Sequence, residues 1–319
     1  MRITVLGCGR WGSFLAWYAG KNGHQACLWG REGSESLAEL RESRANEYLQ
    51  LPRNVALTAS LPEAMGGAEL VLIAIGAQHL REFARQLSPY VCPEKAFVLC
   101  MKGLEARTGK RLTQVFTEAT GASANLAIWA GPGHVQDFIR GIPNCMVIGS
   151  QSIELTRRLV EALGSELIRF YYGQDLIGNE LGAAAKNVIG IAAGMLDGLG
   201  YTSLKGALMA RGAREIARLV RAMGGNELTV YGLSHLGDYE ATLFSPHSHN
   251  RRYGEAWVRQ EPFAKLAEGV ATIRALRMLS EHHEVDLPIC NALYQVLNEG
   301  ENPRESLLTL FLRPVKFEF

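Results

Sequence analysis

The sequence predicts an α/β chain, a doubly wound sheet followed by an all-helical domain. Three observations predict it. Short apolar runs alternate with helical stretches through the first half, a glycine-rich turn follows the first run, and strand signals fade near Gly173. The expected division is therefore 1–173 for the sheet domain and 174–319 for the helical one.

The strand candidates are Ile3–Leu6, Gln25–Trp29, Leu70–Ile75, Phe97–Met101, Ala127–Ala130 and Met146–Ile148, with a further short one at Leu167–Tyr171. Several are unbroken apolar runs, which suit parallel strands covered on both faces. Helical stretches lie between them at Ser13–Asn22, Gln78–Leu87 and Lys110–Thr120. Beyond Gly173 the pattern becomes helical. "GALMARGAREIARLVRAMG" sets arginines between apolar positions, "FAKLAEGVATIRALRMLSEHH" is a second helix, and Pro288 opens a third.

"VLGCGRWGS" places Gly7, Gly9 and Gly12 in G-x-G-x-x-G spacing between the first strand and the first helix, the context that makes this a Rossmann-type dinucleotide turn. Gly7 turns the chain, Gly9 admits a pyrophosphate to the backbone, and Gly12 lets helix and strand pack closely. The free N–H groups of the helix N-terminus then face the phosphates. The second strand ends "LWGRE", with Gly30 and Arg31 where an acidic residue would hold the ribose of NAD. Arg31 would suit a 2′-phosphate and favours NADP(H). NAD(H) is the alternative, with Glu32 on the ribose.

Charge excludes some partners. Lys+Arg total 33 and Asp+Glu 32, so no bulk excess points to nucleic acid or a membrane surface. "LVLIAIGA" is far shorter than the ~20 residues of a spanning helix, and "MRITVLG" is no secretory leader; the expected location is cytoplasmic. The six cysteines are scattered without metal-ligand spacing, and no metal is expected.

"ELGAAAKNVIGIAAGM" reads as a buried helix with Lys186 in its middle. Gly182, Gly190 and Gly194 share the face of the lysine, since residues four apart lie one above another. Three glycines there imply close approach of another body, either a neighbouring helix or a ligand. Lys186 either snorkels to solvent or is an acid–base group. Reduction of a ketone needs a proton at the carbonyl oxygen, and a lysine held out of water beside other cations can give one near neutral pH.

"LCMKGLE" puts Lys102 at the carboxyl end of a strand, where ligands of open α/β sheets bind, and "WAGPGH" exposes Gly131 and Gly133 after the next. "HLGDYEATLFSPHSHNRRYG" collects Asp238, Thr242, Ser248, His249, Asn250, Arg251 and Arg252. Such polarity suits a solvated loop, and its arginines would also suit a phosphate.

Together these segments resemble the NAD(P)-dependent glycerol-3-phosphate dehydrogenases of bacterial type. The resemblance runs nearly end to end, through "GCGRWGS", "MKGLE", "AGPGH", "ELGAAAKNVIGIAAGMLDGLG", "HLGDYEAT", "SHNRRYG" and "EGVAT". It implies a Rossmann domain, a helical substrate domain, a homodimer, and reversible reduction of dihydroxyacetone phosphate to sn-glycerol 3-phosphate for phospholipid synthesis. By position it implies Lys186 as proton donor and acceptor, with Lys102 and Asp238 beside it. It implies substrate contacts at Lys102, Gly131, Gly133, Lys186, Asp238, Thr242, Ser248, His249, Asn250 and Arg251. Cofactor contacts fall on Gly7, Gly9, Arg10, Trp11, Gly12, Arg31, Lys102, Val135, Arg251 and Glu268. In this picture the bare face of the lysine helix admits substrate.

The sequence departs from the family pattern on the substrate side. The Ser-Arg-Asn loop is Ser248-His249-Asn250, the hydroxyl residue of the S-G-P-[ST] turn is Gly133, an Asp-Asn pair is Thr202-Ser203, and His235 stands where a glycine precedes Leu-Gly-Asp. Either Arg251 or a protonated His249 would then meet the phosphate. The alternatives are a related NADP-dependent reductase with another keto or hydroxy substrate, and a dinucleotide-binding protein without turnover. The retained Lys186, Lys102 and Asp238 speak against the last.

Overall fold

The computed structural model describes residues 1–122 and 124–314. Two compact units emerge: one of residues 1–102 and 111–176, the other of 103–110 and 177–319. The short segment 103–110 thus leaves the sheet unit and belongs with the helices.

The first unit is built on eight strands: β1 (Arg2–Leu6), β2 (Gln25–Trp29), β3 (Val55–Thr58), β4 (Leu70–Ile73), β5 (Ala96–Leu99), β6 (Asn125–Ala130), β7 (Asn144–Ser150) and β8 (Ile168–Gly173). Their spatial order is β3-β2-β1-β4-β5-β6-β7-β8. The helices around them are α1 (Arg10–Lys21), α2 (Glu35–Ser43), α3 (Leu61–Met65), α4 (Leu80–Leu87), α5 (Leu112–Thr120), α6 (Val135–Ile139) and α7 (Ile153–Leu163). Strand order reverses between β1 and β4, so the glycine turn after β1 opens at a topological switch point. Val5, Leu28, Leu70 and Val98 lie in a core shared with Phe14 and Leu15 of α1.

Two features differ from the sequence expectation. β3 is an added strand; "VALT" is four residues long and its pattern of burial is too short to stand out. The sheet is also not wholly parallel. β7 runs antiparallel to β6, with Ala127 opposite Ser150 and Ala130 opposite Val147, and β8 then runs parallel to β7. Apolar runs give no direction, so only pairing reveals this reversal.

The second unit comprises α8 (Leu176–Gly198), α9 (Lys205–Ala222), α10 (His249–Arg259), α11 (Glu268–His282), α12 (Pro288–Tyr294) and α13 (Pro303–Phe311). Every residue of α8 from Gly178 to Leu196 is buried, the polar Asn179, Glu180, Lys186 and Asn187 included. No helix among the described residues is long and apolar enough to cross a membrane. The expected helix from Phe263 begins only at Glu268. The polar stretch after His235 is not a solvated loop. It forms a 3-10 turn at Leu236–Asp238, a π-type turn at Glu240–Phe244 and then α10.

Glu215 of α9 is buried and accepts from the main-chain N–H groups of Ile289 (2.9 Å) and Cys290 (3.1 Å), capping α12. Burial outweighs these bonds and pushes its carboxyl up to about 7 from 4.5. An acid with a raised folded pKa stabilises the fold relative to its ionised form at low pH and loses that contribution as pH rises through about 7. The unfolding free energy of the natural chain should therefore fall, relative to Glu215→Gln, by up to about 3 kcal/mol between pH 4.5 and 7. Denaturant titration of both proteins across this range checks it; a constant difference contradicts it.

Candidate active site

The dinucleotide turn is built by exclusion. Gly7 has φ +114°, and a Cβ there would stand 2.3 Å from the Ala74 carbonyl oxygen. A Cβ at Gly12 would come within 1.7 Å of the Gly7 carbonyl oxygen. At Gly9 the opposite holds: nothing lies within 4 Å of the added atom. The main chain is therefore open to an approaching group just where α1 begins. No side chain caps that helix and its first turn carries no acid, so its N–H groups and partial positive charge suit a pyrophosphate. The residues fit a dinucleotide.

Arg10 and Trp11 open α1. The Arg10 guanidinium bonds Gln136 Oε1 at 2.8 Å and lies 5.2 Å over the ring of Tyr48. Burial pulls it below the ordinary arginine range. Trp11 is half-buried against Phe14, Trp129 and Phe138, an aromatic wall beside the turn. Tyr48 was not legible as a partner of Arg10, because it sits in a connection without motif. Beyond β2, Arg31 is exposed, while Glu32 meets Arg41 at 3.7 Å.

At the carboxyl ends of β5 and β6, Lys102 Nζ donates to the Gly131 carbonyl at 2.7 Å. Gly133 leaves room for Phe138, whose ring would lie 2.4 Å from an added Cβ. A larger residue here would have to displace that ring. Val135 begins α6 with its side chain in the core, so a cofactor contact from it falls to the main chain.

In the second unit, Lys186 does not snorkel to solvent. Its ammonium is 3.0 Å from Asp238 Oδ2 and donates to Thr242 Oγ1 at 2.6 Å. Lys186 is 8% exposed, and Asp238 and Thr242 are each 1% exposed. The glycines on its face are filled by the chain itself, which corrects the expectation that this face admits substrate. A Cβ at Gly182 would meet His235 Cβ at 2.9 Å, one at Gly190 would meet Thr242 at 2.7 Å, and one at Gly194 would meet the Arg251 carbonyl oxygen at 1.8 Å. The side chains missing from this face of α8 are thus what lets Asp238 and Thr242 reach the lysine.

Ser248 caps α10 through Arg251 N at 3.3 Å, and Asn250 Oδ1 accepts from Gly269 N at 2.9 Å, next to Glu268 at the start of α11. His249, the first residue of α10, has Nδ1 3.3 Å from the Leu266 carbonyl and its ring edge-on to Phe263. Arg251 is a correction. Its guanidinium pairs with Asp197 at 2.6 Å and Glu255 at 3.3 Å, and Nε donates to the Ser245 carbonyl at 3.2 Å. Asp197 also meets Lys205 at 2.7 Å. Arg251 therefore ties α10 to α8 rather than waiting for an anion. The signal was poor because Asp197 is 54 residues away in sequence.

Residues 2–156 match the N-terminal model, and 175–308 the C-terminal model, of NAD-dependent glycerol-3-phosphate dehydrogenase. The glycerol-3-phosphate dehydrogenase [NAD(P)+] of Deinococcus radiodurans is 40% identical, over 99% of this chain and 96% of its own length. The chain belongs to the NAD-dependent glycerol-3-phosphate dehydrogenase family. The enzyme of the same name from a Thermoanaerobacter species is 34% identical over 100% of this chain and 99% of its own. The crystal structure of glycerol-3-phosphate dehydrogenase from Coxiella burnetii superposes with a TM-score of 0.91 at 26% identity, covering 98% of this chain and 99% of that one. A D-mandelate dehydrogenase shares the fold at a TM-score of 0.63 and 13% identity.

Within this family frame, the glycine face makes a contrast that can be measured. In an open helix, glycine to alanine gains up to about 1 kcal/mol. Gly206, in the first turn of α9, meets nothing within 4 Å, and Gly206→Ala should stabilise by a few tenths of a kcal/mol to about 1 kcal/mol. Gly194→Ala should instead destabilise by about 1–3 kcal/mol, because the obstacle is main chain. Thermal unfolding of the two variants decides, and a shift of the same sign in both would contradict the packing argument.

Proposed function

We propose that this chain reduces dihydroxyacetone phosphate to sn-glycerol 3-phosphate reversibly, with Lys186 giving and taking the proton. The observation that carries the reading is the buried Lys186–Asp238–Thr242 group in a member of this family. A dinucleotide held at the Gly7–Gly12 turn would supply the hydride to the carbonyl carbon. Charge then gathers on the carbonyl oxygen, and Lys186 Nζ passes it a proton, leaving a neutral amine that solvent reprotonates. Asp238 holds the ammonium in place before transfer and Thr242 fixes its direction. In the reverse direction the amine takes the proton from the substrate hydroxyl.

Lys102 serves as a second cation for the substrate, with Gly131 and Gly133 beside it on the same strand ends. For the phosphate, Ser248, His249 and Asn250 offer the N-terminal turn of α10, with His249 in place of the usual arginine. Arg251 has no direct part in this reading, because Asp197 and Glu255 hold it. The chain uses NADPH in preference to NADH; the exposed guanidinium of Arg31, beside a Glu32 already near Arg41, supports that choice.

The loss of NADPH absorbance with dihydroxyacetone phosphate, run beside unphosphorylated dihydroxyacetone, tests the substrate. Turnover should require the phosphate; equal rates with both, or none with either, would send the reading to another keto substrate. Lys186→Ala should keep NADPH binding and lose about 10²–10⁴-fold in kcat. For the cofactor, Arg31→Ala should raise KM for NADPH about tenfold while KM for NADH stays within about twofold. A matching rise for both dinucleotides would remove the assignment of Arg31 to the 2′-phosphate.

A further inference from the structure

His235 is fully buried beside the lysine helix, where no substrate role has been given to it. Its Nδ1 is 2.8 Å from the Gly182 carbonyl, and its Nε2 is 2.6 Å from the Tyr239 hydroxyl. A carbonyl can only accept, so Nδ1 carries the proton and Nε2 accepts from Tyr239. The α-helical pattern pairs the Gly182 carbonyl with the Lys186 N–H four residues on. The imidazole therefore bonds the turn that carries the lysine. Three residues further along the chain is Asp238, the lysine's carboxylate partner.

The geometry points to His235 as a positioning residue for proton transfer: it pins the Asp238 turn to the Lys186 turn of α8 through the Gly182 carbonyl. This inference rests on Lys186 as the proton donor. Packing supports it, because the His235 Cβ occupies the space a side chain at 182 would need. Ser234 Oγ, buried with no hydrogen-bond partner among the described residues, lies near the same glycine. The groups bearing on the ring are Asp238, Lys186, Tyr239 and the Gly182 carbonyl, and burial holds the ring neutral, down to about 4 from 6.5. A neutral ring gives a fixed donor without adding positive charge beside the ammonium.

Two conservative variants separate positioning from simple filling. Asn places a donor near the Nδ1 position and Gln an acceptor near the Nε2 position. If the ring only satisfies the buried Tyr239 hydroxyl, His235→Gln should be the milder change in both stability and rate. If it positions the pair, the orders split. His235→Asn should lose thermal stability yet keep kcat within about twofold, while His235→Gln and His235→Ala lose kcat about tenfold with KM for both substrates within about twofold. A loosened Asp238 stabilises the ammonium less, so the basic limb of the kcat profile for reduction should move to lower pH in these two variants.

NADPH binding and circular dichroism establish that each variant is folded, and the Asn–Gln pair decides if His235→Ala does not fold. Natural kcat and an unmoved limb in His235→Gln, or an Asn variant as slow as the Gln one, overturns the inference. Lys186→Ala is measured beside them. If it turns over at the natural rate, the proton-donor reading has failed. If it is inactive while His235→Gln is natural in rate and profile, only the positioning role has failed.

Discussion

A single ammonium group sets the terms for the helical unit. Lys186 lies on a helix buried from Gly178 to Leu196, and a charge taken out of water there is costly unless paired. The carboxylate of Asp238 and the hydroxyl of Thr242 meet that cost. Neither could approach if α8 carried ordinary side chains on that face. The glycines are thus not a softness in the helix; they are the space in which its partner segment lies. The low propensity of glycine is accepted for the sake of contacts that only bare backbone permits.

The same economy governs the segment after residue 233. Its polar residues are many, but most are used internally. Ser248 caps α10, Asn250 holds Gly269, and Arg251 closes an ion cluster with Asp197, Lys205 and Glu255. Two cations on one aspartate hold its carboxyl below the usual range against burial, which acts the other way. These are scaffold bonds around one buried ion pair. They tie four helices, α8, α9, α10 and α11, around the segment that brings Asp238 to Lys186.

Much of this was legible in the sequence, and for physical reasons. Gly7, Gly9 and Gly12 could be read because a turn, an open approach and a close packing each demand glycine at a fixed spacing after a strand. Lys186 could be read because a lysine among alanines and glycines contradicts its surroundings. What escaped has a common cause: it depends on partners distant along the chain. β7 is seen to reverse only through its pairing with β6, and the four-residue β3 is recognised by its pairing with β2. The stretch from His235 to Asn250 looked solvated because composition counts polar groups and does not show which of them bond one another. Arg251 looked available for the same reason. Tyr48 meets the guanidinium of Arg10 from a segment far along the chain.

Gly182 and His235 also bear on how such a chain diverges. Each position limits the other: a side chain at 182 has no room while residue 235 carries a Cβ. The obstacle at 194 is sterner, because it is a carbonyl oxygen and no rotamer can move it aside. Substitutions on this face of α8 should therefore appear among relatives in concert with changes between residues 234 and 254. Position 182 should stay glycine wherever 235 carries a Cβ, and 194 should stay glycine throughout.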